Sequence, residues 1–285
     1  MNRTALAHAK INLHLAVGPL REDGFHDIQS LFARLALADV LQIHWQTGPF
    51  CITVTGLEEY CAPGFDTLSR AARLWHEATG CDVELTVQVE KHIPVQSGLG
   101  GGSSDAAALL AVLNSIAAVG DERLLAIASA VGSDVPFFLS AVDAAIVEGR
   151  GEVVHPIVSR PLPVLLAMPK ALAVSTAQAY ATLDHLRTEM IHPFSHFEEI
   201  VSNYDKSCPT WSGSLYNDFY ATVAHEPIYT ALGGLCTELD GYASISGSGS
   251  CWYFVSEDER CVKEVRERVQ HSLGDQVVVW QSRLL

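Results

Sequence analysis

Between Pro94 and Ala106 the chain reads Pro94-Val95-Gln96-Ser97-Gly98-Leu99-Gly100-Gly101-Gly102-Ser103-Ser104-Asp105-Ala106, with four glycines in five positions directly before two serines. Glycines let a backbone come within hydrogen-bonding distance of phosphate oxygens, and a helix opening there aims unpaired N–H groups and a partial positive charge at them. Ser103 and Ser104 add hydroxyls able to bind phosphate oxygens or a phosphate-bound Mg²⁺. A glycine-rich turn closed by a Ser or Asp cap uses the same residue types, but four glycines so close together weaken that reading. The GxxxxGK[ST] loop needs a Lys that is absent, and GxGxxG begun at Gly98 meets Ser103 where its last glycine belongs.

A second group is Gly132-Ser133-Asp134-Val135-Pro136-Phe137-Phe138, a carboxylate on a short turn beside an apolar segment. Alone, Asp134 reads as a turn or cap residue. Its chemical weight comes from Lys10, because an ammonium and a carboxylate facing one hydroxyl suit phosphoryl transfer, where positioning and charge stabilisation supply most of the catalysis. A third group, Ser244-Ile245-Ser246-Gly247-Ser248-Gly249-Ser250-Cys251, is a small-residue loop without the GxSxG spacing of hydrolases. The twelve histidines lack HExxH spacing and the seven cysteines form no CxxC pair, so neither points to zinc or redox chemistry.

Strands and helices must hold these groups. Period-two alternation predicts a first strand over 9–17 that puts Lys10, Asn12 and His14 on one face, a candidate site wall, and further strands over 40–45, 51–55 and 85–90. Asp66 or Thr67 can cap a helix through Leu68, Ala71 and Trp75 that ends at Gly80, and a second, Ala-rich helix is expected from about Ser103 to Val119. Turn formers at Gly149-Arg150-Gly151 and over 156–163 place a domain boundary between 155 and 156. Beyond it come a strand over 164–168, a helix near Thr176 to Arg187, a capping box Ser256-Glu257-Asp258-Glu259 opening a helix with Val262, Val265 and Val269 on one stripe, and a strand over 276–280.

Composition bounds the function. With 285 residues, 48% of them hydrophobic and 18% charged, the chain can bury a core without staples and is too apolar for disorder. No apolar run reaches the ~18 residues of a membrane span, and the first ten residues lack the apolar core of a signal peptide, so a cytoplasmic protein is expected. Eighteen Lys and Arg against thirty-three Asp and Glu give a net charge of −15, a field that repels nucleic acid and obliges any anionic small ligand to find a local cradle.

The order and spacing of the motifs resemble the GHMP kinase superfamily. The resemblance rests on Ala9-Lys10-Ile11-Asn12-Leu13, Arg21-Glu22-Asp23-Gly24-Phe25-His26, the loop from Pro94 to Ala107, Gly132 to Phe138, and Gly247-Ser248-Gly249-Ser250-Cys251. The triple glycine before Ser-Ser-Asp-Ala-Ala and the Asp-Gly-Phe-His after the first strand are similar to the branch acting on 4-diphosphocytidyl-2-C-methyl-D-erythritol. It implies ATP-dependent phosphorylation of the 2-hydroxyl of that substrate, with Mg²⁺ beside the nucleotide, in the non-mevalonate isoprenoid pathway. It further implies that Asp134 is the base and Lys10 its partner, and that Pro94, Gly98, Leu99, Gly100, Gly101, Gly102, Ser103 and Ser104 hold the nucleotide, with Ser104 at the metal. Asn12, Phe25 and His26 then bind substrate, His26 reading the cytosine edge and Phe25 stacking on it; taken alone, His26 reads as a surface or core residue. Gln96, Ser97, Thr67 and Phe25 depart from the family pattern. The implied fold is α+β in two domains, residues 1–155 with a left-handed βαβ crossover and residues 156–285 ferredoxin-like, with the site in the cleft between them, in a monomer or homodimer. A sister kinase or diphosphate decarboxylase would share the loop and Asp134. A non-catalytic nucleotide-binding protein would bind ATP without transfer, and a dinucleotide-dependent oxidoreductase would bind NAD.

Overall fold

A computed structural model describes residues 1–187 and 194–285. The first sheet is built on two long antiparallel strands, β1 (Asn2–Leu20) and β2 (His26–Thr47). One end of β2, Val40 to Thr47, also pairs with β4 (Val83–Glu90), and the other end, Ile28 to Ala33, with β5 (Ala144–Gly149); β3 (Cys51–Thr55) lies parallel to β4 and β6 (Val153–Pro156) closes the sheet beside β5. The parallel pair β3 and β4 is joined through α1 (Thr67–Thr79), as parallel neighbours require a crossover. Asp66 caps α1 by accepting from the Ser69 amide, and Gly80 ends it at φ 63°, as the residue types predict. With α2 (Gly101–Ile116), α3 (Asp121–Val131) and α4 (Val135–Leu139), this helix covers one face of the sheet over a core that includes Trp75, Leu109 and Phe137.

The second sheet is antiparallel: β7 (Pro163–Pro169), β8 (Tyr242–Ile245), β9 (Trp252–Val255) and β10 (Val277–Arg283) in the order β10-β7-β9-β8. Helices α5 (Thr176–Leu186), α6 (Phe197–Tyr204), α7 (Tyr220–Val223) and α8 (Pro227–Leu235) fall between its first two strands and α9 (Glu259–Leu273) between its last two, a βαββαβ arrangement of ferredoxin-like type. The last pairing of the first sheet reaches Pro156, and the chain crosses to the second sheet over 157–162.

Three expectations change. β1 carries an irregular register between Asn12 and His14, with Asn12 opposite Phe32 and His14 opposite Leu31. The extra residue shifts the alternation by one, so Leu15 rather than His14 continues the site wall; His14 is buried elsewhere, edge-on to Tyr216, and desolvation lowers its pKa to about 4, keeping it neutral. α2 begins at Gly101, two residues before Ser103, because the left-handed Gly100 already supplies the turn into it. The cap of α9 is Asp258, which accepts from the Arg260 amide, while the Ser256 hydroxyl is drawn to the Asp240 carbonyl.

Candidate active site

β1 is buried on both faces from Ala9 to Val17, so its polar side chains must find partners inside the protein. Lys10, 3% exposed, lies over the Phe32 ring with Nζ 4.6 Å from the centroid, donates to Asn12 Oδ1 at 2.6 Å and sits 3.4 Å from Asp134 Oδ2. Burial lowers the pKa of this ammonium, and the charge of Asp134 works in the opposite sense. Asp134 occupies the cap position of α4, yet its side chain caps nothing among the described residues; the carboxylate, a quarter exposed, is left for Lys10 and for the space in front of it. A cap would have turned it to the backbone.

That space is a cleft of about 560 Å³, whose walls include Lys10, Asn12, Asp134 and the glycine loop. The loop bends at Gln96, Gly98 and Gly100, all with φ between 56° and 77°, and its helix then starts at Gly101 and Gly102, which line the cleft and whose N–H groups have no partner within the helix. The Lys10 amide donates to the Leu99 carbonyl at 3.0 Å, and the Leu99 side chain is fully buried in the core, so Leu99 anchors the loop and does not line the cleft. Pro94, Gly98, Gly100, Gly101, Gly102 and Ser103 do line it. Ser104 does not: successive helical residues diverge by about 100°, and its buried side chain faces a separate hollow beside Arg34 and Phe138.

The loop at 246–250 closes against the first one. Ser246 Oγ donates to the Gly98 carbonyl at 2.8 Å, the Cys251 amide to the Ser97 carbonyl at 3.1 Å, and the Gly247 amide to Asn12 Oδ1 at 2.8 Å. Asn217 Nδ2 holds the other side, donating to the carbonyls of Ile245 and Gly247, both at 2.9 Å. Asn12 thus spends its amide on Lys10, Gly247 and Ser30, and joins the two walls.

Phe25 and His26 stand one layer back from the cleft. His26 is buried, with Nδ1 2.9 Å from the Gly18 carbonyl and Nε2 3.3 Å from Asp184 Oδ2, and its ring stacks on Tyr180, which does line the cleft. Phe25 is half exposed beneath the Arg150 guanidinium, 4.7 Å from the ring centroid. Sequence reasoning treated Arg150 as boundary material and gave Tyr180 no chemistry. A cation between two glycines in an acidic chain was the available signal for Arg150: a Cβ on Gly151 would lie 2.4 Å from the Ser133 carbonyl, so the glycine lets this turn lie against that of Asp134.

Lys91 also lines the cleft, bridging Asp39 and Asp105, the latter at 3.0 Å. Asp39 accepts from the amides of His92 and Ile93, which lead into the glycine loop. Burial opposes the Lys91 charge, but the two carboxylates outweigh it and raise its pKa; desolvation, reinforced by Asp39, lifts Asp105 to about 7. Among the described residues no cluster of three or more His, Cys, Asp and Glu could hold a metal, all seven cysteines are free thiols, and no helix is long and apolar enough to cross a membrane.

Residues 66–141 match the model of the GHMP kinases N terminal domain. The chain is 35% identical to a 4-diphosphocytidyl-2-C-methyl-D-erythritol kinase of Treponema pallidum (strain Nichols), over 89% of this chain and 89% of that protein. It is 38% identical to one of the same name from Anaeromyxobacter sp. (strain K), over 87% and 79%. A crystal structure of a 4-(cytidine 5'-diphospho)-2C-methyl-D-erythritol kinase superposes with a TM-score of 0.78 at 31% identity, covering 100% of this chain and 99% of that one.

Proposed function

The chain belongs to the GHMP kinases and, within them, to the 4-diphosphocytidyl-2-C-methyl-D-erythritol kinases, and from that membership we propose which of its residues perform the ATP-dependent phosphorylation. The acceptor is the 2-hydroxyl of 4-diphosphocytidyl-2-C-methyl-D-erythritol, a step of the non-mevalonate route to isoprenoid precursors. The observation that carries the assignment is the Lys10–Asp134 pair, 3.4 Å apart in the wall of the cleft that the glycine loop also lines.

Asp134 takes the proton of the acceptor hydroxyl as its oxygen bonds to the γ-phosphorus and the bond to the departing ADP oxygen breaks. Lys10, 3.4 Å from Asp134 Oδ2, orients that carboxylate and offsets negative charge on the reacting oxygens. The N–H groups at the start of α2, with Gly98 and Gly100 allowing close approach, receive the triphosphate. Mg²⁺ fits the phosphate end of the cleft, where the donors are hard oxygens: the Ser103 hydroxyl and the Asp105 carboxylate, whose Oδ1 has no partner among the described residues. Those two residues, rather than Ser104, would hold the ion, which when bound neutralises charge on the phosphates. Tyr180, backed by His26, forms the side of the cleft suited to a cytosine ring, and Arg150, backed by Phe25, lies near the diphosphate. The enzyme works where ATP is abundant, in the cytoplasm.

Asp134→Asn tests the base. ADP release with the cytidylyl substrate should fall roughly 10²- to 10⁴-fold while affinity for a non-hydrolysable ATP analogue stays within about twofold. A variant with near-normal turnover removes Asp134 from the role.

A further inference from the structure

Behind α2, on the side away from the cleft, lies a second hollow of about 300 Å³. One end is polar. Arg3 and Arg34 line it together with Ser104, Thr4 and His8, and the rest of the wall is apolar, including Ala107, Ala108 and Ala111 from α2, Leu139 of α4 and Ala141 after it. Arg34 is held there in an unusual state for a protein of net charge −15: it makes no ion pair among the described residues. Its Nη2 donates to the Phe138 carbonyl at 3.2 Å, while its Nε is buried without a partner. Partial burial lowers its pKa against the charge of Asp143, and the Phe137 ring lies 5.6 Å from the guanidinium, which remains charged in proteins. The charge and the orphaned donor both call for an anionic oxygen acceptor, and guanidinium forks suit tetrahedral oxyanions. The volume exceeds what a bare phosphate needs, and the Thr4 hydroxyl already donates to Gln42 Oε1 at 2.8 Å, so the mostly apolar remainder suits an alkyl chain. His8 donates from Nδ1 to the Leu35 carbonyl at 3.0 Å, and burial lowers its pKa, so it adds little positive charge.

We propose that this hollow binds a short-chain alkyl phosphate, its phosphoryl group on Arg34, Arg3 and Ser104 and its alkyl chain against the alanines of α2. The site is distinct from the cleft but shares the first turn of α2 with it: Ser103 faces the cleft and Ser104 the hollow. Arg34 also holds the Phe138 carbonyl, four residues beyond Asp134, so occupancy is coupled to the turn that carries the proposed base.

The test is calorimetric titration of the full chain with n-butyl phosphate, inorganic phosphate and butyrate, each with the cleft saturated by a non-hydrolysable ATP analogue. Butyl phosphate should bind at least about tenfold more tightly than either of the others, and Arg34→Gln should weaken it by about tenfold or more. Equal affinity for inorganic phosphate would show that the alanine wall plays no part, equal affinity for butyrate that the guanidiniums do not select a phosphoryl group, and abolition by the ATP analogue that the ligand sits in the cleft; each overturns the proposal. Should Arg34→Gln fail to fold, Ala111→Leu, at an exposed position of α2, narrows the apolar end and should still weaken butyl phosphate while leaving the ATP analogue's affinity unchanged. Unchanged butyl phosphate affinity in that variant is equally fatal.

Discussion

At Lys10 the fold retains a charge that its surroundings disfavour. Burial lowers the ammonium's pKa, and what holds the charge in place is the set of partners around it: Asp134, Asn12 Oδ1 and the face of Phe32. His26 is arranged differently, since both ring nitrogens have partners and Tyr180 shields one face. If it orders the cytosine subsite through Tyr180, His26→Ala should raise KM for the cytidylyl substrate by about tenfold and leave KM for ATP within about twofold; equal losses for both substrates would contradict that assignment. The glycines were legible in the sequence by residue type and spacing, and Lys10 by its place on a polar strand face, whereas Asp134 alone read as a turn or cap residue. That Lys10 and Asp134 meet was not legible, since 124 positions and several strands separate them and only the family resemblance implied it. Arg150 and Tyr180 were illegible for a related reason: each is a single residue whose place in the site arises only when a turn or helix packs against the cleft.

Among the elements, the glycine loop leaves no room for a side chain at Gly98. A Cβ on Gly98 would lie 2.0 Å from the Ser246 carbonyl oxygen, in a backbone with φ of 77°. Gly98→Ala should therefore cost about 2 kcal/mol or more in urea unfolding and raise KM for ATP, whereas Gly120→Ala, whose Cβ would meet nothing, should stay within about 0.5 kcal/mol. Equal stability of the two variants would mean that the loops are not interlocked. The choice between Ser103 and Ser104 turned on where α2 begins; starting the helix two residues early rotates each hydroxyl to a different side, and periodicity cannot fix a helix end that closely. β2 escaped notice between His26 and Asp39 because it is buried on both faces from Ile28 to Ala33, which erases the alternation that reveals a strand. β3 and α1, with one solvent-facing side each, were read within a residue or two.

On the scale of the molecule, a net charge of −15 opposes an anionic nucleotide, and the cleft answers with local donors: Lys10, the amides at the start of α2, and Arg150. Carboxylates behind the loop add to the repulsion. Asp105, raised to about 7, keeps its proton in the folded state across a range where the unfolded chain, titrating near 3.8, has lost it. The native state then binds more protons, so this group makes stability fall as pH rises from about 4 to about 7, with the full penalty present above 7. Asp105→Asn abolishes that slope, and its urea midpoint relative to the parent should rise between pH 5 and pH 8 in metal-free buffer; a constant difference would refute the shift. The bonds from Ser246, Cys251 and Gly247 across to Gly98, Ser97 and Asn12 bear on a different matter. A jaw that swung apart to release ADP would break all of them at about 1 kcal/mol apiece. Product therefore departs through a mouth of fixed width, and X-ray scattering in solution should give the same radius of gyration with and without the nucleotide analogue.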